Sequence, residues 1–284
     1  MMNWAVLNPG IDLTSFRRGF HTRSMSRFSG IKFSLRSLAV IALGLATHGS
    51  ANAQTTRRWV GGSGSWSDAV NWSGGVVPGT GTAAFISGTA GTRVFTNGSN
   101  LSGINITVAA GNTLWNSGSS AGSGQRLGQG ASVTNNGTIE NAYLYQTTTS
   151  TNSGIIQATG ASKYMVFANT VTISNTGGLV RAVSGGILGT ISAVTTINGG
   201  TVSTDSSSSI QVTGQGAASF TFQNAAVSNL GTTLVDQNSL AAPNNRSISI
   251  DLTGTTVFDN NGTITLRQSM PNTGTGTTSF SVNS

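Results

Sequence analysis

Trp59, Trp66 and Trp72 fall within fourteen residues, in the stretch RRWVGGSGSWSDAVNWSGGVVPG, with Asp68 and Asn71 between them. Flat indole faces stack on pyranose rings while nearby amides and carboxylates bond sugar hydroxyls, so Trp59, Trp66, Asn71 and Trp72 are candidate glycan contacts. The same residues have a second use. Glycines 61, 62 and 64 allow close backbone approach, and three indoles with their N–H groups turned onto carbonyls would cover the apolar end of a fold. The covering role is the favoured one.

Carboxylate chemistry is the other candidate. From Gln54 onward the acidic residues are Asp68, Glu140, Asp205, Asp236, Asp251 and Asp259, and Lys163 and Arg181 are the basic candidates for a proton acceptor. Some β-helical proteins cleave acidic polysaccharides with such a set, the carboxylates clustering around calcium. Asp205 and Asp236 each follow a repeat glycine by five residues, which would stack them on adjacent coils. The aliphatic residue after those glycines shifts by one place, from Val202 to Leu234, so isolated, solvated carboxylates are expected instead. His21 and His48 both precede residue 54 and no cysteine occurs, which excludes imidazole and thiolate chemistry from the rest of the chain. The loop GSGQRLGQG, residues 122 to 130, lacks the lysine of a phosphate loop. No catalytic residue, metal ligand or cofactor is expected.

The net charge of +7 suggests a nucleic-acid partner until the charges are located. Six of the fourteen basic residues precede residue 37, and from Gln54 onward eight basic residues face six acidic ones. The basic character belongs to a leader, and no nucleic acid is expected as a partner. An apolar run from Leu38 to Ala46 ends in Ala51-Asn52-Ala53, an A-x-A cleavage pattern, so residues 1–53 read as a signal peptide cut between Ala53 and Gln54, with Met25 as an alternative start. The run is too short to span a bilayer, and no membrane span is expected in the mature chain.

Short alternating segments follow: INITV, VTIS, SIQVT, SFTFQ, SISIDLT and TITLR place an apolar side chain at every second residue. No apolar stripe at helical spacing follows residue 54, so the mature chain is expected to be all-β. Asn, any residue, Gly and then an aliphatic residue recur at Asn135, Asn152, Asn175, Asn198, Asn229 and Asn260, with a weaker instance at Asn116. A unit of roughly 20 residues with insertions predicts a solenoid. Asn and Gly both tolerate the left-handed backbone of a sharp corner, and stacked corner asparagines can exchange side-chain hydrogen bonds. The expectation is a right-handed parallel β-helix of seven or eight coils over 93–267, after a Trp/Gly-rich cap at 54–92 and before a flexible tail or truncated continuation at 268–284. Loops inserted near 203–217 and 235–246 would make contacts.

Read as W-x-G-G-x-G-x-W-x(4)-N-W-x(2)-G-x(2)-P, residues Trp59 to Pro78 resemble the module that opens the exported region of bacterial autotransporter-type and PEP-CTERM-type surface proteins. There it precedes autotransporter-associated β-strand repeats. PGTGTAAFIS, residues 78 to 87, is similar to the usual continuation, with Thr82 where an Asp is usual. The resemblance implies a protein exported across the inner membrane of a Gram-negative bacterium and held outside the cell or on its outer surface. A structural or adhesive, non-catalytic passenger is the expected function, with surface glycans or a host or neighbouring cell surface as partner. A carbohydrate binder or a polysaccharide lyase is the alternative. An outer-membrane barrel belongs to the expectation only if the chain is a fragment, which its lack of a second cap favours.

Overall fold

A strand with alternating apolar and polar residues can bury only one face, and this chain solves that by closing its strands around a common interior. The computed structural model describes residues 54–116, 126–145, 147–191, 193–214, 217–237, 247–268 and 277–283. The expected signal peptide, most of the weak repeat after Asn116 and residues 238–246 of the expected second loop lie outside the described residues.

Three parallel sheets stack into a β-helix. Sheet 1 has ten strands: β1 (Thr56–Arg58), β3 (Ala83–Ile86), β5 (Asn105–Val108), β8 (Ser132–Asn135), β11 (Thr149–Asn152), β14 (Val171–Ser174), β17 (Val194–Asn198), β20 (Ala218–Gln223), β23 (Ser247–Thr253) and β26 (Thr277–Asn283). Sheet 2 has nine: β2 (Gly64–Ser65), β4 (Arg93–Phe95), β6 (Thr113–Trp115), β9 (Thr138–Glu140), β12 (Ile155–Thr159), β15 (Leu179–Val183), β18 (Thr201–Thr204), β21 (Ala226–Asn229) and β24 (Val257–Asn260). Sheet 3 has seven: β7 (Arg126–Leu127), β10 (Tyr143–Tyr145), β13 (Tyr164–Ala168), β16 (Ile187–Ile191), β19 (Ser209–Thr213), β22 (Thr232–Gln237) and β25 (Thr263–Gln268). From β5 onward the chain runs through sheets 1, 2 and 3 in turn and starts again one layer on; before it, β1 and β2, then β3 and β4, contribute to sheets 1 and 2 alone among the described residues.

Stacking is in register. On sheet 1 one inward column runs Ala84, Ile106, Val133, Ser150, Ile173, Ile197, Phe222 and Leu252. These side chains are buried, and each fully buried aliphatic or aromatic one contributes about 1.5–3 kcal/mol. Ser150 is the polar member, and its hydroxyl donates to Thr147 Oγ1 at 2.6 Å.

The helix starts earlier and ends later than its sequence boundaries. Residues 54–92, expected as a separate cap module, supply β1, β2 and β3, which pair with the coils above them in the same sheets. Residues 277–283 of the expected tail form β26 on β23. Gln54–Ser284 belong to one compact unit.

The repeated N-x-G motif marks two corners, not one. Asn135, Asn152 and Asn198 end strands of sheet 1 and Asn175 directly follows one, whereas Asn229 and Asn260 end strands of sheet 2. The jump between them makes the repeat glycines 200 and 231 stand farther apart than one coil, since Ile197 stacks on Phe222. Residues 203–217 therefore hold the end of β18 and all of β19 where an inserted loop was expected.

At the first corner Asn135 Nδ2 donates to Asn152 Oδ1 at 2.7 Å, and Asn152 Nδ2 donates to Asn175 Oδ1 at 2.6 Å. At the second, Thr204 Oγ1 donates to Asn229 Oδ1 at 2.8 Å, and Asn229 Nδ2 donates to Asn260 Oδ1 at 2.7 Å. The expected exchange between stacked asparagines is thus present, and the expected left-handed backbone accounts for only part of the motif. None of these asparagines has a positive φ; Gly177 and Gly200 are left-handed, with φ of 74° and 64°, and the other four repeat glycines, Gly137, Gly154, Gly231 and Gly262, are not. Glycine is needed there for approach: a Cβ at Gly154 would lie 2.1 Å from the Gly137 carbonyl oxygen, and one at Gly262 2.0 Å from that of Gly231.

Candidate functional site

The three clustered tryptophans lie inside the first coil. Trp59, Trp66 and Trp72 are each at most 2% exposed and form a chain of edge-to-face pairs, with ring centroids 5.0 and 4.7 Å apart around Trp72. Two indole N–H groups are satisfied by backbone: Trp59 Nε1 donates to Gly62 O and Trp72 Nε1 to Trp66 O, both at 2.8 Å. Asn71 packs its amide where side chains at 61 and 64 would stand, since a Cβ at Gly61 would lie 2.2 Å from Asn71 Oδ1 and one at Gly64 2.8 Å from its Nδ2. The W-x-G-G-x-G spacing therefore lets the chain close around Asn71. A sugar stacks on an exposed ring face, and none of these three candidate contacts presents one.

The carboxylates are dispersed. Glu140 and Asp259 lie on sheet 2, Asp236 on sheet 3 and Asp251 on sheet 1, while Asp205 sits in the corner between β18 and β19. Asp205 and Asp236 do not stack, because Asp236 pairs with Thr213 of β19. Among the described residues no group of three His, Cys, Asp or Glu side chains is placed to hold a metal ion.

Asp68 precedes the turn Ala69–Asn71 without capping it by its side chain, whereas three of the others have a local task. Asp205 accepts from the Ser184 amide at 2.5 Å, from the Ser207 amide and hydroxyl at 3.0 and 2.8 Å, and from the Ser208 hydroxyl at 2.6 Å. Desolvation pushes its pKa up, but the hydrogen bonds from Ser208, Ser184 and Ser207 outweigh that and lower it from 3.8 to about 2. Buried Asp236 accepts from Arg267 Nη2 at 2.5 Å, and that bond raises the guanidinium pKa further. Asp251 accepts from the Ser249 hydroxyl at 2.9 Å and from that of Ser281. These are structural bonds across coils and turns.

A continuous array of functional groups runs instead along the outer face of sheet 2. The register places Phe95, Trp115, Glu140, Gln157 and Arg181 in one column. Phe95 and Trp115 meet edge to face at 5.2 Å, and Arg93 lies 4.7 Å over the Trp115 ring. Arg93 Nη2 then donates to Glu140 Oε1 at 3.1 Å, Gln157 Nε2 to Glu140 Oε2 at 3.0 Å, and Arg181 Nε to Gln157 Oε1 at 2.9 Å. With coils about 4.8 Å apart, the column is about 20 Å long, aromatic at one end and cationic at the other. The aromatic rings and Arg181 are partly exposed. Such a ridge offers ring edges and fixed polar groups to an extended ligand lying along the axis.

Only Glu140 and Arg181 of this ridge are among the sequence candidates, and there they serve lyase chemistry. A signal existed: Trp115, Glu140 and Asp259 each stand immediately before a corner asparagine. Coils of unequal length hide it from any fixed period.

A second aromatic group lies on sheet 3, where Tyr143 and Tyr145 stack at 6.0 Å and Arg126 lies 4.1 Å over Tyr145. Burial and the neighbouring Tyr145 push the Tyr143 phenol up, Arg126 opposing them.

Comparison of the chain with protein-family models, with curated proteins and with solved structures finds no match.

Proposed function

We propose that this chain is an exported bacterial β-helical passenger with a structural or adhesive role, displayed on or released from the outer cell surface. The observation that carries the reading is the helix itself: stacked coils joined by in-register ladders, with corner amides bonded from coil to coil. Such a rod supplies reach and leaves few backbone groups open to a protease. In this reading the buried tryptophan trio is the lid on the first coil, where an uncovered edge would recruit other chains, and the helix is right-handed as parallel crossovers generally are. The resemblance of Trp59 to Pro78 to autotransporter-type and PEP-CTERM-type modules, and the A-x-A site at Ala53, support the route of export.

Adhesion to a glycan is the form of the role that the sheet 2 ridge favours, through Trp115, Arg93, Gln157 and Arg181. Binding of the purified protein to immobilised polysaccharides tests it. Trp115→Ala is expected to abolish binding with the circular dichroism spectrum unchanged. Equal binding by Trp115→Ala and the unsubstituted protein overturns the ridge as the contact. Export is tested separately by expressing the full gene product in a Gram-negative host and sequencing the N-terminus of the released protein. A mature chain starting at Gln54 is expected, and retention of an intact leader in the cytoplasm sinks the surface role.

A further inference from the structure

The three outer faces of the helix differ in chemistry. Sheets 2 and 3 carry the aromatic and charged residues Arg93, Trp115, Glu140, Arg181, Tyr143 and Arg267. From β5 to β20 the described outward positions of sheet 1 hold no charged or aromatic side chain: they read Asn105 and Thr107, Ser132 and Thr134, Thr151, Thr172 and Ser174, Val194, Thr196 and Asn198, and Ser219, Thr221 and Gln223, with Val194 as the one aliphatic member. Register aligns them into two columns. Thr107, Thr134 and Thr151 follow one another in the first, and Thr172, Thr196 and Thr221 in the second. Neighbours stand about 4.8 Å apart along a column and about 6.6 Å apart along a strand, so the face is a two-dimensional grid of β-hydroxyl and methyl groups.

Strand propensity favours threonine at any exposed strand position. It does not explain the segregation, since equivalent positions on sheet 2 hold Phe95, Trp115, Glu140, Gln157 and Arg181. The Ser132 hydroxyl donates to Asn105 Oδ1 at 2.9 Å, but the threonine hydroxyls of the face are not used internally. Thr96, Thr190, Thr195 and Thr204 bond within the protein, whereas none of the six grid threonines has a hydrogen-bond partner among the described residues. Hydroxyls held at fixed spacing by a stacked backbone, left unbonded and interleaved with methyls, suit a partner that is itself periodic, neutral and made of hydrogen-bonding groups.

We infer that the outer face of sheet 1 binds the surface of ice. Charged side chains hold strongly oriented hydration that is costly to strip, and the grid has none. A crystalline polysaccharide would be met by stacked aromatic rings, and these are also missing from the face. Each hydroxyl contributes little by itself. A rigid grid pays its ordering cost at folding, so weak contacts to successive lattice waters act together.

The test is partition of the purified protein into a slowly growing ice hemisphere, together with thermal hysteresis and crystal shaping. Thr172→Tyr and Thr196→Tyr each raise a ring above the grid, and Thr201→Tyr makes the same change on exposed sheet 2. Unsubstituted protein and Thr201→Tyr are expected to enter the ice and shape crystals, and either grid variant to lose both effects with its circular dichroism unchanged. Exclusion of the unsubstituted protein from ice overturns the inference, whether or not it binds crystalline cellulose. So does an equal loss in Thr172→Tyr, Thr196→Tyr and Thr201→Tyr. Neither result depends on the export route or on the sheet 2 ridge.

Discussion

Asn152 stands in the middle of a buried amide chain, accepting from Asn135 and donating to Asn175. Asn152→Ala leaves the Asn175 Oδ1 without its donor and removes the acceptor of Asn135, and a buried polar group left unpaired costs about 1–3 kcal/mol. Urea denaturation of this variant is expected to show a loss in that range, with a lower midpoint and an unchanged slope. Gly154→Ala fails for a different reason. Its Cβ would collide with the Gly137 carbonyl of the coil below, so two layers must separate, and the loss should reach or exceed about 1–3 kcal/mol. Asp205 supplies a pH dependence. Its folded pKa is lowered from 3.8 to about 2, so its contribution to stability is present above 3.8 and lost as pH falls through about 2. The difference in melting temperature between the unsubstituted protein and Asp205→Asn should therefore be full above pH 3.8 and absent below about 2.

At the scale of elements, the tryptophan segment and the corners decide the outcome. Trp72 touches both other indoles and gives its N–H to Trp66 O, so Trp72→Ala opens a large cavity at the end of the helix and should cost about 3–5 kcal/mol. Thermal denaturation measures that directly. A variant that keeps its melting point would show that the first coil does not need the indole. The strands themselves were legible from alternation: Ile106 and Val108, Ile210 and Val212, Phe220 and Phe222 are all buried as period two requires. The corner asparagines were legible as a repeat, but their division between two corners was not. Asn175 and Asn229 have the same local sequence signature and occupy different edges of the helix, because a motif that closes one turn closes another equally well.

At the scale of the whole molecule, the parallel stack makes stability a matter of neighbouring layers. A break such as Gly154→Ala should loosen the coils around it while distant coils keep their amide protection, which hydrogen exchange read coil by coil would resolve. Uniform loss of protection from β3 to β26 would show instead that the helix unfolds as one cooperative unit. The three faces also divide the surface: a bonded aromatic and ionic ridge on sheet 2, tyrosines and the Asp236–Arg267 pair on sheet 3, and a charge-free hydroxyl grid on sheet 1.

Sequence alone determined the period-two pattern, and with it the all-β class, the inward residues and the recurrence of Asn and Gly at turns. Each of these is local, since alternate side chains point to opposite sides of a strand wherever the strand is placed. Only the tertiary structure decided which residues lie above one another. Successive coils carry Arg57 onto Ala84, Ile106, Val133, Ser150 and Ile173, steps too unequal for any single period to align. The ridge and the threonine grid depend on that alignment, because each joins residues a full coil apart in the chain and one strand spacing apart in space.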